Sequence, residues 1–460
     1  SSATITKLGR NENVNTEIKE STVVASLKVE DDASVKEKID SLKEKITDKN
    51  VSTENGLKNA LRNFFQQPTA GGIVLLLCAV LAMVLANSGA SGTYEHILEY
   101  PIALGPLSMT VLEWINDGLM AVFFFVVGME IKTEFLFGEL RKPSATLLPV
   151  IGALGGMAMP ALIYGLINYG GPYMRGCGVP VATDIAFSLG VLTFAASNAP
   201  RSIAVFLVTL AVADDLGGII VIALFYNSDI NWMMLGISAA VIAALYTLCK
   251  KKVHFLPIYV LGGLVLWYLF REAGIHPTIA GVILGFCIPA ADSAVTMKEG
   301  VLYKLYNGLT PWSSFGIMPL FALSNAGIAL SFENFSHLSS PIGLGILFGL
   351  CLGKPIGIFM SAFTLIKLHI VDMPNGANFR DILGAGILGG IGFTVSLFIA
   401  SLAFTDPGDL MIAKTAIVCA SVIASIVGSL AFKVILHEDA VEKAHAQASS
   451  SSGSSVRETA

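Results

Sequence analysis

Charge is scarce in this sequence. Only 14% of its 460 residues are Asp, Glu, Lys or Arg, against about 25% in an ordinary soluble protein. That excludes a soluble α/β enzyme. A basic excess is missing too: 29 Lys and Arg face 34 Asp and Glu, for a net charge of −5, which argues against nucleic acid as a partner. Metal or disulfide spacing is absent, because the six cysteines at 78, 177, 249, 287, 351 and 419 lie scattered. The seven histidines (96, 254, 276, 337, 369, 437 and 445) fall in loops, span ends or tails. Neither a His/Glu metal cluster nor a Ser-His-Asp set is visible, so the sequence calls for no enzyme activity and no cofactor. The polar–apolar alternation of a porin-type barrel is also lacking.

What is present is apolar length. Hydrophobic residues make up 54% of the chain, and mean hydropathy is +0.70. Between Gly71 and Leu436, apolar runs of about 17 to 25 residues follow one another, long enough to cross a ~30 Å hydrocarbon core as helices. Glycine, at 45 residues, is well above the usual ~7%, as close packing of membrane helices requires. The pattern predicts an all-α membrane protein with spans near 70–87, 111–135, 145–167, 179–196, 202–226, 231–249, 257–271, 274–290, 312–330, 341–365, 382–404 and 412–435. That is twelve.

Residues 1–66 read as a polar cytoplasmic tail with 11 Lys/Arg and 11 Asp/Glu. No apolar stretch follows a basic start, so this is not a signal peptide. The stripe Leu57, Leu61, Phe64, Phe65 predicts a helix lying on the membrane surface. Residues 67–436 form the transmembrane domain, and 437–460, with Ser449–Ser452, read as a disordered cytoplasmic tail. Connections after even-numbered spans hold 11 basic residues, from Lys132 to Arg380; those after odd-numbered spans hold Arg175 and Arg271, with Lys414 near an end. This bias places both termini in the cytoplasm.

Few ionisable residues remain at membrane depth: Asp117, Asp184, Asp214, Asp215 and Lys354, with Glu130 and Glu134 near the cytoplasmic end of the second span. Five central charges cost on the order of 12–18 kcal/mol on insertion scales. A packed bundle has no structural need for them, so they mark an ion or proton pathway. Asp214 and Asp215 lie midway along RSIAVFLVTLAVADDLGGIIVIALF. Adjacent helical side chains point ~100° apart, so one carboxylate can face a cavity and the other a partner. Carboxylate oxygens suit hard cations, and a group that holds either a proton or a cation is all an exchanger requires. In PVATDIAFSLG, Thr183 and Asp184 interrupt an apolar run, and Asp184 can stabilise a positive half-helix end. In LCLGKPIGIF, Lys354 precedes Pro355, which breaks the helical ladder. Gly384, Gly386 and Gly389 match a dinucleotide fingerprint but lie in an apolar span, so they read as packing residues.

These stretches, with WINDGLMAVFFFVVGMEIK and GILGGIGFTVSLFIASLAF, resemble in order the bacterial NhaA-type Na+/H+ antiporters over about residues 66–436. The resemblance implies inverted-topology repeats, the known architecture of that family, and broken, crossing fourth and eleventh spans with the second break at Gly390–Gly392. It implies an electrogenic antiporter of the bacterial inner membrane that exports Na+ or Li+ in exchange for H+, for sodium and pH homeostasis. Asp215 is then the principal cation-binding carboxylate, and Asp214 its neighbour paired with Lys354. Thr183 and Asp184 lie at the crossing. Asp117 is the acidic residue of the second span, and Glu130 and Glu134 line a cytoplasmic funnel. A homodimer through a hairpin over 94–110 is implied as well. The alternative on the same fold is a K+ or organic-anion carrier. Two departures bear on pH response. The family often has Lys-Arg-Glu where this chain has Lys132-Thr133-Glu134. The connection before the ninth span often carries Glu and His, and here reads Tyr306, Asn307, Gly308, Leu309, Thr310.

Overall fold

Inside a hydrocarbon slab a backbone can satisfy its N–H and C=O groups only in helices or closed barrels, and the long apolar runs fold accordingly. The computed structural model describes residues 70–455 apart from 106, 139–140, 142, 197–198, 228 and 294. The expected polar tail and its surface helix lie outside the described residues.

Helix α1 (Ala70–Ala86) turns by 112° into α2 (Ser91–Glu99). Strands β1 (Pro101–Leu104) and β2 (Leu107–Thr110) then pair antiparallel, with Leu104 opposite Leu107, so a hairpin forms where one was expected. Thr110 and Glu113 close a capping box that starts the next helix. That helix passes through a π turn at Trp114–Leu119 into α3 (Met120–Phe137). Next come α4 (Pro143–Ile167), a 3-10 segment (Met174–Val181), α5 (Ile185–Ala195), α6 (Arg201–Phe225), α7 (Trp232–Lys250), α8 (Leu256–Ala273) and α9 (Thr278–Cys287). Helix α10 (Val301–Trp312) continues through a π turn into α11 (Met318–Asn325). Helix α12 (Pro341–Phe348), a π turn at Gly349–Gly353 and α13 (Lys354–Lys367) follow, then α14 (Phe379–Gly389), α15 (Phe393–Ala403) and α16 (Pro407–Ser455).

Among the described residues, six helices are long and apolar enough to cross a membrane, and up to nine if each of three bent pairs is one span. Length and apolarity alone therefore do not reach twelve. Helix α9 has only 10 residues, and π turns divide the stretches around 111–137 and 301–325. The ninth span, expected at 312–330, begins instead at Val301, because VLYKLYNGLTPW is an amphipathic helix that an apolar-run criterion passes over. The C-terminal tail, expected to be disordered from 437, continues the last helix through Ser455. Residues 438–446 read EDAVEKAHA, rich in strong helix formers.

Glycines let these helices approach closely. A Cβ at Gly156 would lie 2.7 Å from Ile358, and one at Gly353 2.9 Å from Pro160, which locks α4 to the α12–α13 helix. A Cβ at Gly384 would meet the Phe432 ring at 2.9 Å, so the fingerprint glycines do serve packing. Large side chains such as Leu77, Leu264 and Phe194, the last 90% exposed, face outward as an apolar coat.

Candidate functional site

Two helices break at the same place. The 3-10 segment and α5 meet at 41° across Ala182–Asp184, and α14 and α15 meet at 45° across Gly390–Gly392. The breaks touch: Asp184 N–H donates to the Ile391 carbonyl at 2.7 Å. Apolar half-helices packed this way bring unsatisfied backbone ends into the protein interior, and polar side chains must answer them.

Asp184 answers the N-terminal ends. Fully buried, it caps α5 by accepting from Phe187 N–H at 3.0 Å. Its other oxygen accepts from Thr394 N–H at 3.1 Å and from the Thr394 hydroxyl at 2.5 Å, so one carboxylate serves two helix starts. Ser421 of α16 accepts from Phe393 N–H at 3.2 Å and completes the second start.

The third element is α6, which crosses beside the breaks and carries Asp214 and Asp215. Lys354 and Asp214 form an ion pair, both fully buried. Lys354 also donates to the Thr183 hydroxyl at 2.9 Å. Thr183 Oγ1 lies 2.7 Å from Asp214 Oδ2 and 2.8 Å from the Gly389 carbonyl. Its single proton serves one of them at a time, so this hydroxyl joins the ion pair to the C-terminal end of α14. Lys354 reaches this place because Pro355 cannot donate to the preceding turn, and the helix loosens into the π turn just before it.

Asp215 differs. It is 5% exposed, and no described residue donates a hydrogen bond to it. Asp214 Oδ1 and Asp215 Oδ1 are both buried without a partner. Glu130, Asp214 and Asp184 are its negative neighbours, and Lys354 its positive one. Glu130 lies on α3 directly after Met129, which packs in the apolar cluster that Tyr306 of α10 borders. Glu134 lies one turn further along α3. Among the described residues no three His, Cys, Asp or Glu side chains gather as a metal site.

The cluster thus unites Asp214, Asp215, Lys354, Thr183 and Asp184, with Glu130 at its edge. Asp117 is not brought to it. Its carboxylate faces Arg271 at 3.8 Å and His276 at 3.7 Å, while its carbonyl accepts from Trp267 Nε1 at 2.9 Å. Sequence reasoning had counted Arg271 in a connection and His276 at a span end, and missed Thr394 and Ser421. Thr394 lies two residues past the Gly390–Gly392 break, and Ser421 sits within the last helix. Lys132, counted in a connection, lies within α3 and donates to the carbonyls of Phe286 and Ile288 at 2.8 and 2.6 Å, closing the end of α9.

Known proteins share this arrangement of sequence and fold. The chain is 51% identical over 377 residues to Na(+)/H(+) antiporter NhaA 2 of Clostridium beijerinckii, covering 81% of this chain and 93% of the relative. It is 42% identical over 381 residues to Na(+)/H(+) antiporter NhaA of Shewanella amazonensis, covering 81% and 96%. Its fold matches the sodium proton antiporter MjNhaP1 from Methanocaldococcus jannaschii with a TM-score of 0.51 at 16% identity, over 82% of this chain and 99% of that one. That likeness is one of fold. The sequence pattern of the Na+/H+ antiporter 1 family spans residues 62–432, most of the chain, and with it the helix breaks, the paired aspartates and the buried lysine. This chain therefore belongs to the Na+/H+ antiporter 1 family, a family of transporters and not of enzymes.

Proposed function

We propose that the chain exchanges cytoplasmic Na+ or Li+ for external H+ at a single site formed by Asp214, Asp215 and Lys354. The observation that carries this reading is a buried aspartate without a donor, Asp215, beside a buried ion pair, at the meeting of two helix breaks. Asp215, helped by Asp214, offers hard oxygen ligands to a small cation. Arrival of the cation displaces protons from the three-residue group, and return of protons displaces the cation. Cargo that must leave again calls for a site that binds without trapping the ion. Losing two protons per Na+ makes exchange electrogenic. Thr183 and Asp184 keep the broken helices joined while one bundle moves against the other. Glu130 and Glu134 line the cytoplasmic approach, and Asp117 stands on the external side.

In this reading the chain crosses the bacterial inner membrane twelve times as inverted repeats, with both termini cytoplasmic. The β1–β2 hairpin suits pairing with a second copy. Family membership favours Na+ over the K+ or organic-anion alternative. Na+-induced proton release from everted vesicles, measured across pH and compared with K+, tests the function. Proton release by Na+ and Li+ but not by K+ is expected. A response to K+ equal to that to Na+ would overturn the cation assignment.

A further inference from the structure

Tyr226, the residue that ends α6, and Tyr164 of α4 are buried and send their hydroxyls to one short stretch of backbone. The Tyr226 hydroxyl donates to the Arg175 carbonyl at 2.6 Å, and the Tyr164 hydroxyl to the Tyr173 carbonyl at 2.9 Å. Both carbonyls lie where the 3-10 segment begins. That segment runs for 8 residues, Met174–Val181, whereas 3-10 runs beyond about 3–4 residues are uncommon because their hydrogen bonds are poorly aligned. It also carries Gly176, Gly178 and Pro180, which weaken any helix. The two glycines make room for the tyrosines: a Cβ at Gly178 would lie 2.7 Å from the Tyr226 hydroxyl, and one at Gly176 would overlap that of Tyr164. The far end of the segment leads to Thr183, whose hydroxyl meets Asp214 at 2.7 Å and Lys354 at 2.9 Å. Helix α6 is therefore tied to the segment twice, through Asp214 and through Tyr226. From Asp214 to Tyr226 the helix rises ~18 Å, and from Arg175 to Thr183 a 3-10 course covers ~16 Å, so the two ties fit one length. An α-helical course over the same residues would be ~4 Å shorter, more than a hydrogen bond can absorb.

We propose that Tyr226 is a positioning residue for the exchange site: its hydrogen bond to the Arg175 carbonyl holds the 3-10 segment at full length, so that the Thr183 hydroxyl stays against Asp214 and Lys354. This rests on the exchange site proposed above. Tyr226 does not touch the cation and acts only through Thr183. Tyr164 holds the Tyr173 carbonyl in the same sense, and Ser396 of α15, fully buried, donates to the Val179 carbonyl of the segment at 2.8 Å.

The test is Na+-driven proton release from everted vesicles bearing the full chain. Tyr226→Phe removes one oxygen and keeps the ring in place. It should raise the apparent KM for Na+ about threefold to tenfold, as expected for one lost hydrogen bond. The maximal rate should stay within about twofold, the pattern of lost binding and not of lost chemistry. Thr183→Val, which removes the hydroxyl being positioned, should raise KM at least as far, and Tyr226→Phe should add nothing in that background. Tyr164→Phe should raise KM in the same sense, and it stands in for Tyr226→Phe if that variant does not fold. Tyr259→Phe is the control: its hydroxyl also donates to a backbone carbonyl, that of Val253 at 3.0 Å, but in the second apolar cluster, and its KM should equal the parent's. An unchanged KM in Tyr226→Phe, multiplying effects in the double variant, or an equal rise in Tyr259→Phe would overturn the inference. Exchange by the parent chain in the same vesicles separates that failure from failure of the exchange reading.

Discussion

Replacing Lys354 by alanine perturbs the site at its most buried charge. Lys354 and Asp214 are both 0% exposed, so water cannot replace the lost ammonium. The substitution strands the Asp214 carboxylate and leaves the Thr183 hydroxyl without the donor that reached it at 2.9 Å. Breaking a buried pair in this way costs about 3–5 kcal/mol. At ~2 °C per kcal/mol for a large chain, melting in detergent should fall on the order of 5–10 °C. A buried carboxylate without a counter-charge is relieved by taking up a proton. The deficit should therefore be largest at alkaline pH and shrink as pH falls. Adding Asp214→Asn to Lys354→Ala removes the stranded charge and should restore most of the loss. Lys354→Arg keeps a cation in place, so the fold should hold, but arginine does not release its proton and fewer protons should move per Na+. Equal melting of Lys354→Ala and the parent at alkaline pH would refute the pairing argument.

Other consequences follow from the same geometry. Asp184→Ala deprives Phe187 N–H and Thr394 N–H of their acceptor; at ~1 kcal/mol per lost cap, melting should drop by more than in Thr394→Val, which removes only a hydroxyl. Deleting residues 1–50 should leave Na+-driven proton release intact, because that segment contributes no apolar span and no charge at membrane depth. Protons and Na+ compete for the same carboxylates, so raising Na+ should move the acid limb of the rate–pH curve to lower pH. Initial rates at saturating and subsaturating Na+ check this, and an acid limb fixed at every Na+ concentration would point to a separate sensor.

The residues most legible in the sequence were those that violate their surroundings. Asp214, Asp215 and Lys354 stand out because ionisable groups are costly in apolar helices, and the structure brings all three together. Asp184 was legible as a helix-end compensator, and it serves two ends. Gly390–Gly392 was legible as a break, and α14 and α15 end and begin there. Thr394 and Ser421 were not legible, because hydroxyls in membrane helices usually bond their own preceding turn, as Thr415 does with Met411 at 2.8 Å. Nor was the clamp on Asp117, since Arg271 and His276 come from a helix end and a loop distant in sequence. Helix α10 escaped because its apolar face is interleaved with Tyr303, Lys304 and Asn307. The polar composition after Leu436 suggested disorder, whereas local helix propensity extends α16.

The central claim is that Asp215 carries the exchangeable charge. Asp215→Asn removes that charge while changing little volume, and no described residue donates a hydrogen bond that the amide would lose. The decisive measurement is Na+-induced proton release from everted vesicles carrying Asp215→Asn at parental expression, with melting of the purified protein as the folding control. The account predicts parental melting and no Na+-driven proton release at any pH. Proton release at the parental rate would contradict it.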